Sequence, residues 1–313
     1  MSNDSLPPLT LHIGLPKCAS SSLQRFLQNA ETPYFYMGKF KRDHRGLAYQ
    51  NEEIEAIFRT TIPLSSEIIF NYEEIRSRLK AYFAEYNPQN KPALLSEEVM
   101  SGMGVIMHQN NRQLDPYIIL HRMKQLFPNL KLLLIIREQF KYLQSYYSEL
   151  ISQGYNIAYD IFVRKHIREH AGLGYILKYD EFASFLIRTC GEVYILPFES
   201  LIRQDDLATS TLAKLDISFT QDFPKARKSA LPNEVHHKFV ANLDQVTRLG
   251  SLQSLYDLSR SHEVIQKQNI RDDVTKLFWL DPHFQAACSK LFSKSNYKLQ
   301  EMLNINLHEY GYQ

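Results

Sequence analysis

The run LKLLLII at residues 130–136 does most to fix what this chain can become. An apolar stretch of that length, broken only at Lys131, fits a strand covered on both faces. A helical pattern follows at once: in residues 139–152, Phe140, Leu143, Tyr147 and Leu150 form one stripe. Similar strand signals occur at residues 9–14 (Leu11 and Ile13 alternating), 92–96 (PALLS) and 192–196 (EVYIL). Helical spacing marks residues 51–59, 72–86, 115–126, 157–170, 179–189 and 205–215. Short strands alternating with helices predict an α/β fold: an open, mainly parallel sheet flanked by helices. No linker, repeat or low-complexity stretch divides the chain. The expectation is one domain over residues 1–313, with an α/β core at 9–229 and a largely helical extension at 230–313.

In such sheets ligands sit beyond the C-terminal ends of the strands. Residues 9–27, LTLHIGLPKCASSSLQRFL, read as strand, tight loop and helix. The helix starts with Leu23, Phe26 and Leu27 on one face. The loop brings backbone N–H groups, a helix N-terminus and the Lys17 ammonium to one place, which suits an anion. Small residues (Cys18, Ala19, Ser20, Ser21, Ser22) let a phosphate come close, and three of them add hydroxyls. The G-x-x-x-x-G-K-[ST] nucleotide loop does not match, because Lys17 follows Gly14 by three residues with no glycine before it. Glu97, Arg137 and Glu199 also follow strand ends, so the topology gathers them at the same edge.

Composition narrows the partners. The 313 residues carry 36 basic and 34 acidic side chains, a net charge of +2, so a general polyanion binder or a membrane-surface protein is not indicated. Anions must be met by local charge instead. Cys18, Cys190 and Cys288, odd in number and far apart, read as reduced thiols of a cytoplasmic protein. No signal-like start and no long apolar window occur, so no transmembrane segment is expected. No His or Cys cluster has metal-ligand spacing.

The loop Pro16-Lys17-Cys18-Ala19-Ser20-Ser21-Ser22 resembles the 5′-phosphosulfate loop of sulfotransferases, P-K-[TS]-G-[TS]-[TS]-[SF]. It departs at Cys18 and at Ala19, where the family has glycine. The stretch IIREQFKYLQSYYSEL resembles that family's 3′-phosphate motif: Arg137 and Ser145 keep the spacing and Tyr147 the aromatic. Gln139 stands for the usual proline and Tyr142 for a second arginine. KARKSALPNE resembles the basic loop over the nucleotide, through Arg227, Lys228 and Ser229. The ending SNYKLQEMLNINLHEYGY resembles the C-terminus of bacterial members.

The resemblance implies a donor, 3′-phosphoadenosine 5′-phosphosulfate (PAPS), and a product, 3′-phosphoadenosine 5′-phosphate (PAP), with no metal. A sulfuryl group would pass in line to a hydroxyl or amine, such as that of a carbohydrate or small metabolite. Lys17 would meet the charge on the departing oxygen and a side chain would take the acceptor proton. Glu97 is the expected base, since it follows the strand at 92–96; Glu98 would face the other way if the chain stayed extended. His44 and His108 are rivals. His12 reads as a core residue within a strand, and His236 and His237 as solvated. Residues 32–45, rich in aromatic and basic side chains, read as a solvated loop or a wall of the acceptor site. Two other readings stand beside this one: a kinase using a nucleoside triphosphate, and a non-catalytic nucleotide-binding protein.

Overall fold

A computed structural model describes residues 5–30, 32–42, 46–66, 69–101, 115–152, 162, 176–219, 223–224 and 282–313. The chain divides into two compact units, Met1–Arg137 with Asp180–Ala226, and Glu138–Tyr179 with Arg227–Gln313.

The first unit is built on a parallel five-stranded sheet in the order β2-β5-β1-β6-β7. Its strands are β1 (Leu9–Gly14), β2 (Phe35–Tyr36), β5 (Ala93–Ser96), β6 (Lys131–Ile136) and β7 (Glu192–Pro197). Every pairing in it is parallel; β1 sits centrally, with His12 opposite Ser96 on one side and Leu133 on the other. All residues of β1 and β5, and all of β6 after Lys131, are buried, as continuous apolar runs require in a sheet covered on both faces. A separate antiparallel hairpin joins β3 (Lys39–Arg42) to β4 (Gly46–Tyr49).

Helix α1 (Ser20–Asn29) buries Leu23, Phe26 and Leu27, the stripe expected from the sequence. In α2 (Glu52–Ala56) and α3 (Tyr72–Tyr86) Asn51 and Asn71 cap the first turns through their side-chain oxygens. Asp115 does the same for α4 (Pro116–Leu126), with proline in the first turn, where its missing N–H is not needed. The helix expected over 51–59 divides: α2 gives way to a wider π turn, Ile57–Thr61. Residues 32–45 are not simply loop. They supply edge strand β2, whose ends are tied by Phe35 N–H to Pro92 O (2.8 Å) and Met37 N–H to Leu94 O (3.0 Å), and then β3. A two-residue strand is too short for its alternation to show.

The second unit contains α5 (Gln139–Ser152) and α9 (Pro282–Leu303); α6 (Tyr179–Cys190), α7 (Phe198–Arg203) and α8 (Asp206–Ala213) belong to the first, apart from Tyr179. In the second unit Gln139 and Asn296, both buried, exchange amide hydrogen bonds: Gln139 Nε2 to Asn296 Oδ1 at 2.6 Å and Asn296 Nδ2 to Gln139 Oε1 at 3.2 Å. That pair gives Gln139 a structural duty where the resembled motif has proline. The predicted helix at 157–170 and most of the extension at 230–281 lie outside the described residues. Among the described residues no helix is long and apolar enough to cross a membrane.

Candidate functional site

β1 ends at Gly14, and the chain turns through five residues before α1 begins. Two of them, Lys17 (φ 70°) and Ala19 (φ 62°), hold left-handed backbone conformations. Cys18 N–H closes the turn on Leu15 O at 3.2 Å. Ala19 O then accepts from Ser22 and Leu23 N–H at 2.9 Å each, which starts the helix. No side chain caps this N-terminus. The loop therefore presents the positive end of a ten-residue helix behind a half-buried lysine.

The structure brings Arg137 to the loop. Arg137, at the end of β6, donates from Nη1 to Lys17 O at 2.9 Å, and its guanidinium lies 4.6 Å from the centre of the Phe198 ring. An arginine 120 residues away in sequence thus holds the carbonyl of the loop lysine. Ser20 and Ser22 are buried and Ser21 is exposed. Cys18 is a buried free thiol; burial pushes its ionisation far up, so it fills space rather than acting as a nucleophile. Ser145 lies buried on α5 in the second unit. Arg227, Lys228, Ser229, His44, His108, His236 and His237 lie outside the described residues.

β5, hydrogen-bonded alongside β1, ends in two carboxylates. Glu97 N–H donates to His12 O at 3.1 Å, extending the ladder by one residue. Its side chain is fully buried. Lys39 Nζ (3.0 Å) and Val99 N–H (3.2 Å) donate to Oε1, and Tyr49 OH (2.7 Å) donates to Oε2. Arg59, on the π turn, brings Nε to 3.9 Å from Oε2. Burial and the Glu97 charge push the Tyr49 phenol well above its ordinary pKa, so it remains a donor.

Alternation along an extended chain would aim Glu97 at the crevice and Glu98 away from it. The chain does not stay extended: Glu98 opens a 3-10 turn, Glu98–Ser101. Burial raises the Glu98 pKa; Lys39, the Ser20 hydroxyl and Lys17 oppose that rise, and the Glu97 charge adds to it. His12 is buried in the core, as the sequence suggested, with Nδ1 2.7 Å from Ser96 Oγ. Burial, with Lys39 adding to it, lowers its pKa to about 3, so the ring is neutral at pH 7. Sequence reasoning missed Tyr49 and Arg59, which carry no local signal; Lys39 was one of several cations in residues 32–45. Among the described residues, no group of three or more His, Cys, Asp or Glu side chains is placed to hold a metal.

No family model matches this chain, and no curated protein matches it. Solved structures similar to it include the following two. A sulfotransferase from Alicyclobacillus acidocaldarius is 17% identical, with a TM-score of 0.44, over 77% of this chain and 95% of the other. The sulfotransferase STF1 from Mycobacterium tuberculosis H37Rv is 11% identical, with a TM-score of 0.38, over 76% of this chain and 78% of the other. At such scores the likeness carries no weight beside the geometry of the loop.

Proposed function

We propose that this protein is a sulfotransferase, moving a sulfuryl group from PAPS to a hydroxyl or amine of a carbohydrate or small metabolite. The observation that carries the reading is the bond from Arg137 to the Lys17 carbonyl, which joins the strand-end arginine to the lysine of the loop. The residues fit such a donor. The left-handed loop, the α1 N-terminus, Lys17 and the hydroxyls of residues 20–22 suit a phosphosulfate, and the Arg137 fork suits a second phosphate. Ser145, Arg227 and Lys228 would complete the donor contacts by the resemblance alone.

In the transfer, the acceptor oxygen or nitrogen would form its bond to sulfur as the bond from sulfur to the phosphate oxygen breaks. Lys17 would stabilise the charge on that oxygen, and PAP would leave. We assign the acceptor's proton to Glu98 rather than Glu97. Glu97 is engaged by three donors and serves to hold Lys39, whereas Glu98 opens the 3-10 turn and has its pKa raised by burial, which suits a general base. A kinase would need a triphosphate loop of a different pattern.

The test is calorimetry with PAP in the presence of a chelator. PAP should bind without metal and raise the melting temperature. Arg137→Ala should weaken it by about 1.5–3 kcal/mol, the worth of a hydrogen bond to a charged group. Magnesium-dependent ATP binding with no affinity for PAP would overturn the proposal in favour of a kinase.

A further inference from the structure

A cavity of about 120 Å³ is bounded by edge strand β2, the β3–β4 hairpin, α2 and the end of α3. Its lining is mostly aromatic. Tyr36 and Phe40 meet edge to face, with ring centres 5.2 Å apart. Phe35, Tyr82 and Tyr86 form a row, with centres 5.9 and 4.9 Å apart. Tyr49 and Ile54 are buried, whereas Tyr86, 47% exposed, and Gln50 reach solvent and mark the mouth. Two of the tyrosine hydroxyls are spent within the protein: Tyr36 OH donates to Lys39 O at 3.1 Å, and Tyr49 OH to Glu97 Oε2 at 2.7 Å. Polar groups for a guest come from the amides of Gln50 and Asn51. Asn51 commits Oδ1 to Ile54 N–H at 3.0 Å, and a side-chain amide has two N–H donors besides. Among the described residues, none that lines the cavity carries a charge, and none belongs to the Lys17 loop.

Size, charge and lining together select the guest. An apolar cavity of about 150 Å³ takes benzene, so the room here is for one six-membered ring, and not for a sugar ring with hydroxyls on most of its carbons. An ion would lose its water and meet no counter-charge. Aromatic side chains gain most from another ring, offset or edge-on, with centres about 4.5–7 Å away. We propose that this cavity is a binding site for a neutral, monocyclic aromatic molecule with one polar substituent. The ring lies among those of Tyr36, Phe40, Tyr82 and Tyr86, and the substituent meets the amides of Gln50 and Asn51. The site stands independently of the sulfotransferase reading. Two of its walls reach the Glu97 carboxylate: Tyr49 directly, and Tyr36 by holding the carbonyl of Lys39, whose ammonium lies 3.0 Å from Oε1. A guest therefore stabilises the end of β5 without touching the loop.

The test is titration of the full chain with benzyl alcohol, followed by NMR, with no nucleotide present. Benzyl alcohol should bind. Cyclohexylmethanol, of similar size but without aromatic faces, should bind about twofold to tenfold more weakly, which is what aromatic pairing adds beyond buried area. Tetramethylammonium and methyl glucoside should bind more weakly than benzyl alcohol. Gly38 offers a way to spoil the cavity: a Cβ there would lie 2.6 Å from the Tyr36 hydroxyl, so Gly38→Ala must push that ring from its place. It should weaken benzyl alcohol by about tenfold or more. Tyr86→Ala, at an exposed position, should weaken it about twofold to tenfold. Tyr117→Ala removes an exposed ring outside the cavity and should change nothing. No binding to wild type, an equal affinity for cyclohexylmethanol, or a preference for the ammonium or the glucoside would overturn the proposal. Unchanged affinity in Tyr86→Ala would do the same, even where Gly38→Ala fails to fold.

Discussion

The ends of β1 and β5 lie side by side in the sheet and are built by opposite means. The β1 end is made from backbone: two left-handed residues, small side chains and a helix N-terminus, nearly all within residues 14–22. The β5 end is made from side chains: a buried carboxylate that draws in Lys39 and Tyr49 from 58 and 48 residues away, and Arg59 from the π turn. The first kind of site is portable, because its chemistry travels with a short stretch of chain. The second exists only once the fold is complete. The difference also separates the two adjacent glutamates. On the proposed reading Glu97 belongs to the framework, and Glu98 to the chemistry of the loop.

The sharpest way to break that contrast is to neutralise each glutamate in turn. Glu97→Gln removes the charge that Lys39 and Arg59, both partly exposed, pair with, and should cost about 1.5–3 kcal/mol of stability. Glu98→Gln should change stability by less than about 1 kcal/mol, yet lower turnover by about two orders of magnitude or more. Urea denaturation and a donor-dependent assay on both variants decide this. If Glu97→Gln keeps full stability and loses the turnover, the proton acceptor is Glu97 and the division between framework and loop fails.

A middle-sized effect comes from His12, which belongs to both ends. Its folded pKa, about 3, lies below the ordinary value of 6.5. Its share of the stability is therefore complete above pH 6.5 and is lost as pH falls towards 3. Between about pH 7 and about pH 5 that share shrinks by roughly 2 kcal/mol, because each pH unit below 6.5 removes up to about 1.4 kcal/mol. Denaturant melts at both pH values should show a smaller acid loss for His12→Gln than for wild type. An equal loss would mean that the ring takes a proton without being desolvated.

The same contrast explains what could be read from the sequence. The parallel sheet was legible, because runs such as LLLII (residues 132–136) bury both faces of a strand and leave little other choice. The strand, loop and helix of residues 9–27 were legible because their residues are contiguous. The junction with Arg137 was half legible: the strand-end position could be read, but not the bond to the Lys17 carbonyl. Strand β2 was hidden by its length. The alternation argument for Glu97 and Glu98 lapses for a definite reason, since alternation holds only while the chain is extended and the 3-10 turn begins at Glu98. Nothing within ten residues of Tyr49 or Arg59 hints at a carboxylate reached only through folding. Gln139 looked like a departure from a motif, and its long-range partner Asn296 accounts for it.

The smallest effect tests the backbone end of the comparison. Ala19 caps α1 at φ 62° and ψ 18°, a left-handed conformation that a Cβ disfavours by about 1–2 kcal/mol. Glycine would remove that strain, but it frees the unfolded chain and so gives back about 0.4–1 kcal/mol. The balance should leave Ala19→Gly more stable by about 0.5–1 kcal/mol, visible as a small rise in the denaturation midpoint with an unchanged slope. Because the loop already holds this conformation, PAP affinity should change less than in Arg137→Ala. If Ala19→Gly instead loses stability together with PAP affinity, the alanine methyl makes a contact that shapes the loop. The β1 end would then depend on side-chain packing, as the β5 end does.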